Sequence, residues 1–415
     1  MNYHTHVEVR TEEQAQLPHS QQQKEGTTFI RTCFNVINTL SGIGILSMPY
    51  ALSKGGWLSL FIFFSVAILC YYTGLLLKRC MNGNLLIKTY ADVGELAFGK
   101  KGRIIVSILL YLELYFVAVE FIVLEGDNLY KLFPNASLHL GGSYKVEGKK
   151  FLTCLVALII LPTTWLKSMG LLAYVSFGGV VASFILVGCT FWVGAVDGVG
   201  FHEKGSLWRW NGLTRAISMY IFCYCGHAVF PTLYNSMKDK SKFSKVLLVS
   251  FVLSTISYGS MAILGYLMFG ENLTSQITLN LPVRKISSKI AIYTTLINPI
   301  TKYAILIFPI ATVIEYKLPI QNSIIFSLLI RTGLVISTVV VALSIPFFGY
   351  IMEFTGAFLG INVSILLPCL CYLKIHKGYK GLGLEFVGII VILVFGASFS
   401  IIGTYTSVRD IIRHV

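Results

Sequence analysis

The sequence predicts an all-α, polytopic membrane protein, on three observations. Of the 415 residues, 55% are apolar and only 13% are Asp, Glu, Lys or Arg, about half the charged fraction of a soluble domain. The apolar residues fall in runs long enough to cross ~30 Å of hydrocarbon. The remaining charge is gathered in the short segments between those runs. The formal charge of +14 therefore reads as an orientation signal and not as a nucleic-acid surface.

Eleven spans are expected, at 28–53, 56–78, 102–130, 150–167, 170–196, 212–236, 246–269, 287–315, 323–346, 348–373 and 385–407. Residues 1–27 hold Gln21-Gln22-Gln23, three histidines and four glutamates and have no apolar core. They read as a disordered cytosolic tail. Residues 28–407 form the membrane domain, and 408–415 a short C-terminal tail. Lys and Arg at 78–103, 238–245 and 374–380 mark the cytosolic loops and put the N-terminus in the cytosol. The opposite side still carries Lys145, Lys149, Lys150, Arg284 and Lys285. The sequons at Asn135 and Asn272 fall on that opposite side and are candidate glycosylation sites, although such triplets also arise by chance. The nine cysteines sit in or at the ends of spans, without disulfide or metal spacing. No nucleophile elbow, phosphate loop or metal motif is present, so neither an enzyme nor a cofactor is expected.

Two spans are weakened at their middles. The first is uncharged from Thr32 to Ser53 and contains Ser41-Gly42-Ile43-Gly44, with Pro49 following. Gly costs ~1 kcal/mol against Ala in a helix, and Pro more. Freed backbone at membrane depth is tolerated only in a protein interior or a polar cavity. The sixth repeats the pattern in Phe222-Cys223-Tyr224-Cys225-Gly226-His227-Ala228-Val229-Phe230-Pro231. The two are five spans apart in order, so the halves run in opposite directions, as in an inverted 5+5 repeat with one extra span. Glycines for close helix packing are the simpler alternative.

Thr39–Leu52 with Gly55-Gly56-Trp57, Tyr90-Ala91-Asp92-Val93-Gly94, and Phe98-Gly99 together resemble the amino acid/auxin permease family. Asn298-Pro299-Ile300-Thr301-Lys302-Tyr303 is similar to its vacuolar branch of plants and yeast. The resemblance covers nearly all of residues 28–407. It implies a LeuT-like fold, with spans one and six broken, and proton-coupled movement of amino acids across the vacuolar membrane. The partners implied are an amino acid and protons. A plasma-membrane carrier of amino acids or auxin, and an amino-acid-sensing scaffold with little flux, are the competing readings.

An amino-acid zwitterion needs donors for its carboxylate and acceptors for its ammonium. The backbone of Ser41, Gly42, Ile43 and Gly44 supplies the donors, at the start of a half-helix. Carbonyls near Phe222, Tyr224, Cys225 and Gly226 supply the acceptors. No acidic residue lies in either break, which suits a neutral substrate. Span three carries Glu113, Glu120 and Asp127 at intervals of seven, on one helical face. Intramembrane carboxylates are costly and are functional candidates by default. Glu113 and Glu120 are the proton-carrier candidates, with structural hydrogen bonding as the alternative. Asp127 is expected at the membrane interface. His227 reads equally as a proton relay or as a packed core histidine. In sodium-coupled relatives, the contact between spans one and eight holds the metal ion. The resemblance therefore implies that the Lys302 ammonium takes its place, held by carbonyls near Asn38–Ser41 and by the Thr301 hydroxyl. Pairing with Glu353 or a span-three glutamate is the alternative.

Overall fold

In a computed structural model of the chain, residues 26–84, 86–139, 145–165, 172–317, 323–376 and 383–414 are described. The N-terminal tail up to residue 25 lies outside them. Among the described residues, ten helices are long and apolar enough to cross a membrane. The pair Phe29–Leu40 and Ile43–Gly55, bent by 47°, makes an eleventh span. The protein is thus an all-α polytopic membrane protein. Among the described residues, the strands are the two-residue antiparallel pair Leu138–His139 and Lys145–Val146, between spans three and four.

Local chemistry sets the helix starts. Thr28 caps the first helix by accepting from the Arg31 N–H. Thr89 and Asp92 form a reciprocal capping box, each side chain bonding the other's backbone N–H. This second cap starts span three earlier than expected, at Tyr90 instead of residue 102. Its helix runs to Leu132 with a kink at Gly99, whose φ of +68° favours glycine. Arg103 folds back there onto Asp92 and Glu95. Much of the basic loop read from the sequence is therefore helix. Span eleven also exceeds its expected end and runs as helix to His414. Asp410, in what was expected as a tail, instead takes the Arg215 guanidinium of span six.

Both broken spans restart in the same way. Span one ends its first half at Leu40, makes a 3₁₀ turn at Ile43–Ser47, and resumes as helix at Met48 with Pro49 in the first turn. Span six ends its first half at Cys223, makes a 3₁₀ turn at His227–Val229, and resumes at Phe230 with Pro231 in the first turn. Proline suits that position, where its missing N–H has no helical partner. The preceding residues are nearly superimposable in torsion, Ser47 at φ −97°, ψ −5° and Val229 at φ −100°, ψ −9°.

Spans one and six are fastened at both ends. On the N-terminal side, the Thr27 N–H donates to the Ser236 carbonyl at 2.7 Å and the Lys238 N–H to the Thr27 carbonyl at 3.1 Å. On the far side, the Arg209 N–H donates to the Gly55 carbonyl at 3.1 Å, and Arg209 pairs with Glu271. These contacts tie the two broken spans together above and below the breaks.

Span ten winds wider than an α-helix over residues 355–366, a feature concentrated at functional sites. It turns Gly356 onto span six, where a Cβ would meet the Ser218 carbonyl and would lie 3.1 Å from Phe222 Cβ. Gly356→Val should therefore overpack this contact and cost ~1–3 kcal/mol. Gly333→Ala, an exposed helical glycine with nothing within 4 Å of an added Cβ, should leave stability unchanged or raise it. Thermal melting of the detergent-solubilised protein checks both signs.

Candidate functional site

The two breaks meet at the centre of the bundle. Gly44 lies against Cys223: a Cβ on Gly44 would come within 2.7 Å of the Cys223 sulfur and 3.3 Å of its Cα. Gly226 lies against Leu40 in the same way, at 3.0 Å. Gly44 thus allows the close approach of one break to the other. Gly42 differs. A Cβ there would meet only the Leu40 carbonyl, at 4.0 Å. It opens onto a narrow cleft of ≈ 20 Å³, water-sized, lined by Gly42 and Ile43 together with Ser183 of span five and Thr295 and Asn298 of span eight.

The donors and acceptors of the site are backbone groups. No side chain caps the turn at Ile43–Ser47 or the helix beginning at Met48. A helix start without a cap presents N–H groups and a positive dipole end. On the acceptor side, the carbonyls of the span-six break differ in what already holds them. The Phe222 carbonyl is already taken by the Cys225 N–H at 3.1 Å, so it is not the open acceptor. The Cys223 carbonyl faces span seven instead, 3.2 Å from the Tyr258 hydroxyl. The side chain of Tyr224 is fully buried. Its ring stacks on Phe251 with centroids 5.7 Å apart, and its hydroxyl lies 2.8 Å from Thr255. It packs spans six and seven together and does not line an opening.

Of the acidic residues on span three, Glu113 and Glu120 reach the centre. Glu113 is buried beside Cys225 of the span-six break, with one carboxylate oxygen unpartnered, while the Cys225 thiol donates to the Ile221 carbonyl at 3.3 Å. Glu120 is fully buried and accepts from Thr355 of the wide-wound stretch at 2.9 Å, leaving its second oxygen without a partner. Asp127 sits at the far end, bound by Lys149 at 2.6 Å and by Gln276 at 2.8 Å, and holds loops together. Glu125, which the interval of seven did not select, is also fully buried, with neither oxygen bonded. Spacing alone missed it because it lies off that stripe.

His227 is fully buried between spans two and six. Its Nε2 lies 3.1 Å from both the Cys70 carbonyl and the Thr73 hydroxyl. A ring held on a carbonyl is a donor at that nitrogen, which favours the packing role.

Lys302 donates to the Asn38 carbonyl of span one at 3.3 Å. It also approaches span five, where a Cβ on Gly179 would stand 3.4 Å from the ammonium. Thr301 does not join it. One residue away on a helix, its side chain is exposed, and its hydroxyl donates to the Asn298 carbonyl of its own turn at 2.8 Å. Glu353 does not join it either, since it lies 3.7 Å from Arg215 of span six. Asn135 and Asn272 are exposed, in a turn and a 3₁₀ turn respectively.

Over residues 25–409 the sequence matches the family of transmembrane amino acid transporter proteins. The chain belongs to that family, and so to the amino acid/auxin permeases. It is 51% identical to amino acid transporter AVT1I of Arabidopsis thaliana, over 94% of this chain and 96% of that one. It is 49% identical to amino acid transporter AVT1J of the same plant, over 93% and 92%. A more distant relative is the vesicular GABA transporter of Caenorhabditis elegans, 25% identical over 98% of this chain and 85% of that one.

Family membership makes substrate flux the readout for Lys302. Lys302→Met keeps much of the side chain's length and removes its charged bond to the Asn38 carbonyl. A hydrogen bond from a charged group is worth ~1.5–3 kcal/mol, so flux should fall by about tenfold or more while the protein still folds. Lys302→Arg should not restore it, since a planar guanidinium does not replace a compact ammonium. Initial rates in reconstituted vesicles, normalised to folded protein, check both.

Proposed function

We propose that this protein is a proton-coupled secondary transporter of mainly neutral amino acids, acting by alternating access across the vacuolar membrane. The observation that carries the reading is the meeting of the two breaks. The turn after Gly42 is uncapped, and the carbonyls of Leu40 and Cys223 converge on the Tyr258 hydroxyl, with no charged side chain in either break. That set matches a zwitterion: donors for the carboxylate, acceptors for the ammonium, apolar walls for the side chain. The similar restarts of spans one and six support a LeuT-like inverted repeat. The fastenings at Thr27 and Arg209 support a closed intermediate, whose alternate release would open the site to one side and then the other.

Protons are the proposed coupling ion for two reasons. Lys302 already places a positive charge on span one, where a metal ion would otherwise bind backbone carbonyls. Glu113, buried beside Cys225 at the span-six break with one oxygen unpartnered, is placed to exchange a proton as the site fills. Glu120 lies one step further along span three, and its free oxygen can take part in the same transfer. The names of the Arabidopsis relatives favour amino acids as substrates. The vacuolar membrane and the cytosolic N-terminus follow from the family resemblance and the Lys/Arg pattern.

The test is uptake of labelled neutral amino acids into proteoliposomes under an imposed pH gradient. One pH unit is worth about 1.4 kcal/mol per proton, enough for roughly tenfold accumulation. Accumulation should follow the pH gradient, collapse with a protonophore and ignore sodium. Accumulation that needs sodium and survives the protonophore contradicts the coupling. No flux for any amino acid contradicts transport.

A further inference from the structure

Tyr258, midway along span seven, is fully buried, with its ring edge-on to Tyr224. Among the described residues its hydroxyl alone is recorded as bonding the backbone of both breaks. It donates to the carbonyl of Leu40, the last residue of the first half of span one. It also lies 3.2 Å from the carbonyl of Cys223, the last residue of the first half of span six.

A phenol carries one proton and serves these two carbonyls in turn, while the Leu40 carbonyl also accepts from the Gly42 N–H at 2.7 Å. Each ends a half-helix, where the dipole is negative. Two such carbonyls aimed at one point suit a cation better than a phenol. A primary ammonium brings three N–H donors and a full charge, and its hydrogen bonds to carbonyls are the stronger kind.

We propose that Tyr258 is a placeholder donor. Its hydroxyl holds the carbonyls of Leu40 and Cys223 while the site is empty, and yields them to the substrate ammonium as the site fills. The proposal rests on the transport reading above and adds which carbonyls take the ammonium and what competes for them. Substrate gains only the difference between its own bonds and those of the phenol, which limits affinity and speeds release.

The test is Tyr258→Phe, which keeps the ring and removes the hydroxyl. L-alanine, L-leucine and L-glutamine are the probes, each beside its deaminated carboxylic acid as a competitor. Removing the placeholder destabilises only the empty state. KM for the amino acids should fall by about fivefold or more, the lower end of what a bared buried acceptor costs. The maximal rate should fall with it, because release must bare the carbonyls again. Inhibition by the deaminated acids should not change. A purely structural role predicts lost folded protein with KM unaltered. Melting in detergent gives a second readout that needs no flux. The variant should melt lower than wild type without substrate and equal to it at saturating amino acid. An unchanged or raised KM overturns the proposal, as does an equal gain for the deaminated acids. So does a variant that stays unstable, or does not fold, in saturating substrate. Absence of wild-type flux would instead defeat the transport reading, while the melting comparison still decides the role of Tyr258.

Discussion

The close approach of Gly44 to Cys223 fixes the centre of this molecule. Two helices that unwind at membrane depth release N–H and C=O groups that lipid cannot satisfy, at several kcal/mol for each group left bare. Bringing one break against the other lets the protein meet that demand from its own interior. Glycine at 44 permits the contact, because a Cβ there would collide with the sulfur and Cα of Cys223. Once the breaks touch, the surrounding spans supply the missing partners. Tyr258 of span seven holds Leu40 and Cys223, Lys302 of span eight holds Asn38, and Thr355 of span ten occupies one oxygen of Glu120.

This arrangement connects stability to movement. A continuous helix would leave no backbone group free for a ligand. A break satisfied entirely by fixed covalent neighbours would bind nothing. Here the carbonyls at the break are held by hydroxyl and ammonium groups on other spans, which can withdraw. The fastenings at the two ends of spans one and six are short backbone bonds and surface pairs, Thr27 with Ser236 and Arg209 with Gly55 and Glu271. Such contacts contribute modestly and can release one at a time. The centre is densely packed and the ends are lightly tied, as alternate opening requires.

The fold was largely readable from the sequence because a bilayer imposes its constraint on length and composition. The eleven spans, both breaks and the contact of Lys302 with span one are all present in the structure. What the sequence hid follows from side-chain direction and from caps. Thr301 adjoins Lys302 in the chain, but a helix turns it about 100° away, onto its own turn. Phe222 and Cys223 are neighbours, yet the tight turn consumes one carbonyl and leaves the other open. Asp410 read as a tail because the apolar run ends before it, whereas pairing with Arg215 carries the helix on. Glu125 escaped a search by heptad spacing, and Tyr258 carried no signal at all in a span rich in tyrosine and serine. Its role exists only where three spans meet.

The central claim is that substrate binds where the two breaks meet. Three native cysteines report on it directly. Cys223 and Cys225 lie in the break of span six, and Cys154 is exposed on span four. The decisive measurement is the rate of alkylation of each by a membrane-permeant maleimide, quantified by mass spectrometry with and without saturating neutral amino acid. Substrate should slow modification of Cys223 and Cys225 severalfold and leave Cys154 unchanged. Equal rates at Cys223 and Cys225 with and without a transported amino acid would place the binding site elsewhere and contradict the account.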